Sequence, residues 1–433
     1  MKRLTEFVQQ HLNDEVSRLI LDRDKRPDID FDLAVNCIES RRKLKSKVAE
    51  WYDEPELIFP LKLSAEQCSS SQTGLYKARL AATIQNGRKP VITDITGGFG
   101  VDSWYFSKIA DKVIYCERLE VLCDAARHNF QVLGADNISI LNRNITTGTA
   151  HRDDAAGRLQ FGPDADIREI LELTRPDIVY IDPARRGEGG RKVFMIEECA
   201  PDVMSMKDEI FAHCRHLLLK LSPMADITMV CERLGSHCRE VHITSVSGEC
   251  KELLVWMDRE WNEEYCIKVV ELSTGQEDPS LTFRPSEERG SLQDIATEEE
   301  IKAATILLEP GKALMKSGAF NLISSRYGLK KLARSTHYYI ATESWKEQRT
   351  TEELSDLMKI VKTFGILRIS PLNRREIKAT AEAFPSADVT ARNLPMDTDT
   401  LRKKLGSASS DRYHIFGLKS DTAGNLLIAT SRH

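Results

Sequence analysis

The sequence predicts an α/β protein: a mostly parallel sheet with helical crossovers, preceded by a helical segment and followed by smaller α+β domains. Three observations predict it. Val91, Ile92 and Ile95 form a β-branched run that breaks into a turn containing Gly97, Gly98 and Gly100. From there β and helical patterns alternate, as parallel strands joined by right-handed crossovers require. Two β runs, 240–246 and 252–258, joined by a short SGEC turn, then read as an antiparallel hairpin.

At 433 residues the chain exceeds what one hydrophobic core supports. Its apolar fraction of 41% and charged fraction of 29% are those of an ordinary globular protein, and a net charge of −5 excludes a global nucleic-acid signature, so any basic surface is local. The ten cysteines are scattered with no CxxC pair, and the opening MKRLTEFVQQHL lacks the apolar core of a signal peptide. These features predict free thiols and a cytoplasmic location. No apolar run approaches the roughly 20 residues of a membrane helix, so no membrane partner is expected.

Residues 1–75 read as a helical N-terminal segment, with Phe7, Leu12, Val16, Leu19 and Ile20 at helical spacing and the pattern repeated over 33–51. The basic run Arg41, Arg42, Lys43, Lys45 and Lys47 reads as a solvated helix face in preference to an RNA surface. The Ser- and Gln-rich stretch SAEQCSSSQTG is placed to lie across a pocket mouth and leads into a helix over 75–85. After the glycine turn come a helix at 103–110, a strand at 112–116 ending in Glu117, a helix at 121–133, a strand at 138–141 and a polar insertion over 144–166. A helix at 167–173 and a strand at 177–181 follow, the strand ending in Asp182-Pro183-Ala184-Arg185-Arg186 and a glycine-rich loop. A helix at 203–214, a strand at 216–221 and a further helix precede the hairpin, and the sheet domain is expected to end near residue 262. Residues 263–300, with eleven acidic against three basic side chains, have linker composition. Residues 359–433 reverse the balance, with thirteen basic against seven acidic, and close in a β-hairpin around Asp421 and Gly424.

The turn carries a recognisable pattern. Asp94, Gly98 and Gly100 match D-x-x-x-G-x-G, and Glu117 ends the next strand, where this topology brings a carboxylate to a cofactor ribose. Here the chain resembles the class I S-adenosylmethionine (SAM) dependent methyltransferases, which implies a Rossmann-like seven-stranded sheet over residues 76–262, SAM as cofactor, and Asp94, Gly98, Gly100 and Glu117 as its binding residues. Asn142 or Asn144, after the third strand, would sit near the adenine, and Asn144 is the favoured candidate. A nicotinamide dinucleotide is the weaker alternative, because G-x-G-x-x-G needs glycine where Ser103 stands.

Asp182-Pro183-Ala184-Arg185 resembles the D/N-P-P-x motif of methyltransferases that modify base amino groups. The resemblance implies that the Asp182 side chain and the Pro183 carbonyl orient a target nitrogen for in-line transfer, with Arg185 holding the base or its phosphate and Lys220 supporting the pocket. The departure at Ala184 and Arg185 leaves a non-catalytic RNA-binding scaffold, or an enzyme with a protein or small-molecule substrate, as alternatives. Ser222, where uridine C5-methyltransferases carry a nucleophilic cysteine, disfavours covalent C5 chemistry. Cys231, His237 and Cys238 fit no common zinc spacing, and no metal is expected. The segments LLEPGKALMKSGAFNLISSRYGLKKL and ADVTARNLPMDTDTLRKKL resemble the ferredoxin-like and THUMP-like domains of a bacterial methyltransferase group. This implies a linker with a ferredoxin-like domain over 263–349 and a THUMP-like domain over 350–433. RNA is the implied partner, with Arg392, Arg402, Lys403, Lys404 and Arg412 as candidate phosphate contacts.

Overall fold

The structure is a computed structural model that describes residues 2–21, 28–147, 162–184, 199–272 and 280–432. The chain folds as two units, Met1–Arg239 with Glu252–Glu263, and Glu240–Lys251 with Glu264–His433.

The first unit opens with α1 (Lys2–Gln10), α2 (Val16–Leu21), α3 (Phe31–Leu44), α4 (Ala49–Asp53), α5 (Lys62–Gln67) and α6 (Ser71–Ile84). The single pattern read over 33–51 is two helices, broken at the bend between Leu44 and Ala49. Helix α6 starts four residues before the expected position because Ser70 forms a capping box with Thr73. Gly74, inside that helix, leaves room for the Tyr105 ring, which would lie 2.3 Å from an added Cβ.

In the basic run, Arg42, Lys43 and Lys45 are exposed as a solvated face requires, Lys47 is half-buried, and Arg41 departs from the expectation. Arg41 is fully buried. Its guanidinium donates to the carbonyls of Tyr52 (2.7 Å), Glu54 (2.9 Å), Pro55 (3.2 Å) and Leu57 (3.1 Å). Arg42 donates to the Leu12 carbonyl at 2.7 Å, and Lys47 to that of Glu66 at 2.8 Å. An irregular stretch has carbonyls that no helix or sheet satisfies, and these cations supply the donors.

The strands are β1 (Val91–Asp94), β2 (Lys112–Glu117), β3 (Ile138–Asn142), β4 (Ile178–Ile181), β5 (His216–Leu221), β6 (Cys238–Val246) and β7 (Glu249–Asp258). Within the first unit they run in the order β3-β2-β1-β4-β5-β7. All neighbours are parallel except β7, which runs antiparallel to β5 with Asp258 opposite His216. Their crossover helices are α7 (Val101–Ser107), α8 (Glu120–Val132), α9 (Ile167–Thr174), α10 (Val203–His213) and α11 (Ile227–Leu234). Strands β2, β4 and β5 are almost wholly buried, as a sheet covered on both faces requires, whereas β3, at the edge, is partly exposed along its length. Between β3 and α9, Asn144–Thr146 pairs in parallel with Asp164–Asp166, so the ends of the polar insertion are ordered by a short ladder. Strand order reverses beside β1, and in such sheets the crevice at the carboxyl ends of the strands around that point is where ligands bind.

Ser247 and Gly248, between β6 and β7, have φ of 53° and 74°, the positive pair a two-residue hairpin turn demands. In the second unit β6 pairs in parallel with β8 (Cys266–Glu271), which pairs antiparallel with β9 (Leu281–Phe283). Part of the stretch read as linker is therefore sheet: Ile267, Val269, Leu281 and Phe283 are buried despite the acidic residues around them.

A second sheet contains β10 (Ile306–Pro310), β11 (Lys330–Lys331), β12 (Tyr339–Ala341), β13 (Val361–Pro371), β14 (Asp388–Arg392), β15 (Tyr413–Ser420) and β16 (Gly424–Arg432), ordered β11-β12-β10-β13-β16-β15-β14. The terminal hairpin is present as β15 and β16, antiparallel with Tyr413 opposite Ser431. The β10–β13 pairing carries this sheet across residue 350, and one cluster of buried side chains, including Leu307, Tyr338, Phe364 and Phe416, lies on both sides of that point.

Candidate active site

The glycine turn occupies the predicted place, between β1 and α7. Gly98 and Gly100 adopt φ of 54° and 88°, a region that penalises side chains. Gly97 is required for a different reason: a Cβ there would lie 2.3 Å from the Tyr115 ring. A Cβ on Gly98 meets only the Thr96 carbonyl, at 3.6 Å, so this side of the turn is open. The turn is pinned from β2, where Glu117 Oε2 accepts from Gly98 N at 2.8 Å and the Tyr115 hydroxyl donates to the Gly98 carbonyl at 2.6 Å.

Gly97, Gly98, Gly100 and Glu117 line a cavity of about 1430 Å³ whose wall also includes Asp94, Thr96, Asp102, Asn144, Asp182 and Pro183. Single-ligand pockets usually occupy roughly 300–1,000 Å³, so the space suits a nucleoside-sized cofactor together with an acceptor group. Residues 61–64 and 66–69 line it too, which places the Ser-rich segment against the pocket as its position in the chain suggested.

Glu117 is nearly buried, with its second oxygen accepting from Leu119 N at 2.8 Å. Each carboxylate oxygen thus holds one backbone N–H and keeps lone-pair capacity for a hydroxyl donor. Burial raises the Glu117 pKa against the lowering effect of those two amides. Asp94 is turned into the turn itself: Ser103 Oγ donates to one oxygen at 2.6 Å and Thr96 N to the other at 3.0 Å. Burial pushes the Asp94 carboxyl up to about 7 despite those hydrogen bonds. Its geometry is that of a brace for residues 94–103. Of the two candidate asparagines, Asn144 lines the cavity and donates to Asp164 at 2.8 Å, whereas the amide of Asn142, the last residue of β3, is tied to the Glu117 carbonyl at 2.9 Å.

Asp182 leaves the end of β4, its backbone N donating to Thr96 Oγ1 at 2.7 Å, so the second motif is hydrogen-bonded directly to the first. Lys220 Nζ sits 2.6 Å from Asp182 Oδ2, as its place on the neighbouring strand suggested. Ala184, after Pro183, exchanges two backbone hydrogen bonds with Ala200. Arg185 lies outside the described residues.

Behind this pair lies a charged cluster that no local sequence pattern announces. Lys77, fully buried on α6, meets Ser69 Oγ at 2.9 Å, both Glu252 oxygens at 3.0 Å and Asp102 Oδ1 at 3.2 Å. Ser69 and Tyr180 hydroxyls each donate to Asp102 Oδ2 at 2.8 Å, and Lys220 reaches Ser69 Oγ at 3.3 Å. Burial alone would raise the Asp102 pKa, but Lys77 and Lys220 outweigh it and the group is held below its ordinary value. Burial alone would likewise lower that of Lys220, but Asp182, Asp102 and Glu252 outweigh it and raise it. Lys220 is therefore a cation throughout the physiological range.

The basic residues of the C-terminal domain do not form one patch. All five are exposed. Strands β14 and β15 are parallel neighbours, so the connecting helix α12 (Thr398–Leu405) returns toward the start of β14. Its last turn carries Arg402, Lys403 and Lys404 to the end where Arg412 enters β15, while Arg392 stands at the opposite end, level with Leu418. Arg402 is paired with Asp399 at 3.0 Å, and the Arg412 guanidinium lies 5.1 Å from the Tyr413 ring centroid.

Strand order, antiparallel final strand, glycine turn and strand-end carboxylate together define a class I SAM-dependent methyltransferase, here with two further domains at its C-terminal side. Residues 307–347 match the family model described as a ferredoxin-like domain, and residues 361–432 the one described as THUMP domain-like. A crystal structure from Porphyromonas gingivalis W83, assigned as a methyltransferase, shares 27% identity and superposes with a TM-score of 0.79 over 99% of this chain and 97% of that one. Two Mycobacterium tuberculosis proteins, from strains CDC 1551 / Oshkosh and ATCC 25618 / H37Rv, are 22% identical over 347 residues, 78% of each chain, and are described as uncharacterized S-adenosylmethionine-dependent methyltransferases. Among the described residues no helix is long and apolar enough to cross a membrane, and no group of three or more His, Cys, Asp or Glu is placed to hold a metal ion.

Proposed function

We propose that the protein methylates a nitrogen of a base in structured RNA, acting in the cytoplasm, where its ten free cysteines stay reduced. The observation that carries this reading is the hydrogen bond from Asp182 N to Thr96 Oγ1, at 2.7 Å, which sets the acceptor-side carboxylate against the glycine turn within one cavity.

The residues present fit the cofactor. Gly98 leaves its side of the turn open, and Glu117 offers two oxygens, each with capacity for a ribose hydroxyl. Asn144 faces the same cavity and would contact the adenine. When bound, SAM supplies a methyl group on a positively charged sulfur. Asp94, with both oxygens engaged inside the turn, shapes the backbone against which the cofactor would rest. On the acceptor side, Asp182 and the Pro183 carbonyl accept hydrogen bonds from the target nitrogen and align its lone pair, and Lys220 fixes the Asp182 rotamer. Lys220, held charged, cannot take the proton the nitrogen releases, which passes to water. The THUMP-like domain would bring the RNA, with Arg402, Lys403, Lys404 and Arg412 as phosphate contacts and Arg392 a separate one.

Calorimetry with SAM and S-adenosylhomocysteine tests the donor half. Binding by the wild type that is lost in Glu117→Ala and Gly98→Trp supports it, and no wild-type binding overturns it. The acceptor half is tested by labelled SAM and RNA from a strain lacking the gene. Incorporation abolished by Asp182→Ala supports it. Salt-dependent RNA binding without incorporation returns the reading to a non-catalytic scaffold, and incorporation into protein or small molecules replaces the substrate.

A further inference from the structure

We propose that the N-terminal helical segment is a working part of the cofactor site, with Trp51 and Phe59 as positioning residues for the glycine turn. The inference rests on the SAM reading above.

Of the four residues Gly97 to Gly100, Phe99 alone has a side chain, and its ring is where the N-terminal segment takes hold. The Phe99 ring stacks on Phe59, with centroids 5.3 Å apart and planes at 22°, and on Trp51 at 5.8 Å and 30°. Trp51 and Phe59 are stacked on each other at 6.2 Å and 13°, and Trp104 of α7 meets Trp51 edge-on at 5.9 Å. Trp51 and Phe59 are completely buried, whereas Phe99 is partly exposed and lines the cavity. The stack thus runs from a packed core to the cofactor wall.

The anchor is itself held from two directions. The Arg41 guanidinium lies 5.2 Å from the Phe59 ring centroid while gripping the carbonyls of residues 52, 54, 55 and 57. From α8, the Asn129 amide donates to the Ile58 carbonyl and accepts from Ile58 N, both at 2.8 Å. On the other side of Phe99, Gly98 N is the donor that fixes Glu117. A turn with three glycines in four residues has large conformational freedom, and ordering its backbone carries an entropic cost. A turn already ordered by the aromatic stack leaves less of that cost to be met when the cofactor binds.

The test is calorimetry of full-length protein with S-adenosylhomocysteine, alongside thermal melts. Trp51→Leu and Phe99→Leu are expected to weaken binding at least about tenfold, while Trp51→Phe, which keeps a ring in the stack, stays within about threefold of wild type. A purely structural role would lower the melting temperature and leave the affinity of the folded protein unchanged. Phe99, being partly exposed, is the variant least at risk of misfolding and decides the matter if Trp51→Leu does not fold. Cooperatively folded Phe99→Leu binding within about twofold of wild type overturns the proposal. Absence of binding by the wild type is a different outcome, which removes the cofactor reading and this inference with it.

Discussion

Lys77 offers the sharpest test of how the site is held. It is fully buried and its ammonium lies 3.0 Å from Glu252 and 3.2 Å from Asp102. Lys77→Met keeps most of the aliphatic stem and removes the charge, leaving two buried carboxylates and Asp182 to share Lys220. Removing one partner of a buried ion pair costs about 3–5 kcal/mol, because the other charge stays desolvated. For a unit of this size that loss lowers the melting temperature by roughly 6–20 °C. Neutralising the stranded acid should reverse part of it: Lys77→Met with Glu252→Gln is expected to regain about 1–3 kcal/mol relative to the sum of the single changes. Tryptophan fluorescence during urea unfolding reads the relevant unit, since Trp51, Trp104, Trp256 and Trp261 all lie in it and only Trp345 lies in the other. A loss below about 1 kcal/mol for Lys77→Met, or strict additivity in the double variant, would mean that the two charges are not coupled across the buried gap and that the cluster does not hold the site.

Three further outcomes follow from the same geometry. Asp94, pushed up to about 7 by burial, keeps its proton in the fold while the unfolded chain loses it near 3.8, so stability falls as pH rises through that window, by at most about 1.4 kcal/mol per unit. Melting temperatures from pH 5 to 7 should decline less steeply for Asp94→Asn than for wild type, and equal slopes would show that the group is already ionised in the fold. Gly97→Ala drives a methyl to within 2.3 Å of the Tyr115 ring, and the overpacking should cost about 1–3 kcal/mol and weaken S-adenosylhomocysteine binding measured by calorimetry. Changing Arg402, Lys403 and Lys404 to Gln should flatten the salt dependence of RNA binding by about two units of log–log slope while leaving cofactor affinity intact; an unchanged slope would place the RNA elsewhere.

What the sequence made legible is what short-range pattern encodes. The β-branched run, the glycines and the strand-end acids of β1, β2 and β4 lie where periodicity puts them, because a strand buried on both faces has few compositions available to it. The charged cluster was not legible for the opposite reason: Lys77 and Glu252 are 175 residues apart, and nothing local marks either as the partner of the other. The strands of the acidic stretch were obscured by composition, since counting charges over 263–300 hides that Ile267, Val269, Leu281 and Phe283 are buried. Arg41 failed in the most instructive way. Set in a run of five cations it carried the signature of a solvated face, yet one of its four hydrogen bonds goes to Tyr52 in the last turn of α4 and three to carbonyls of the irregular segment between α4 and Phe59. That segment has to be irregular to turn Trp51 and Phe59 together toward Phe99, and a buried irregular backbone needs donors from outside itself. The arginine is thus a consequence of the aromatic stack, and its burial is evidence that the N-terminal helices are folded around the turn they abut.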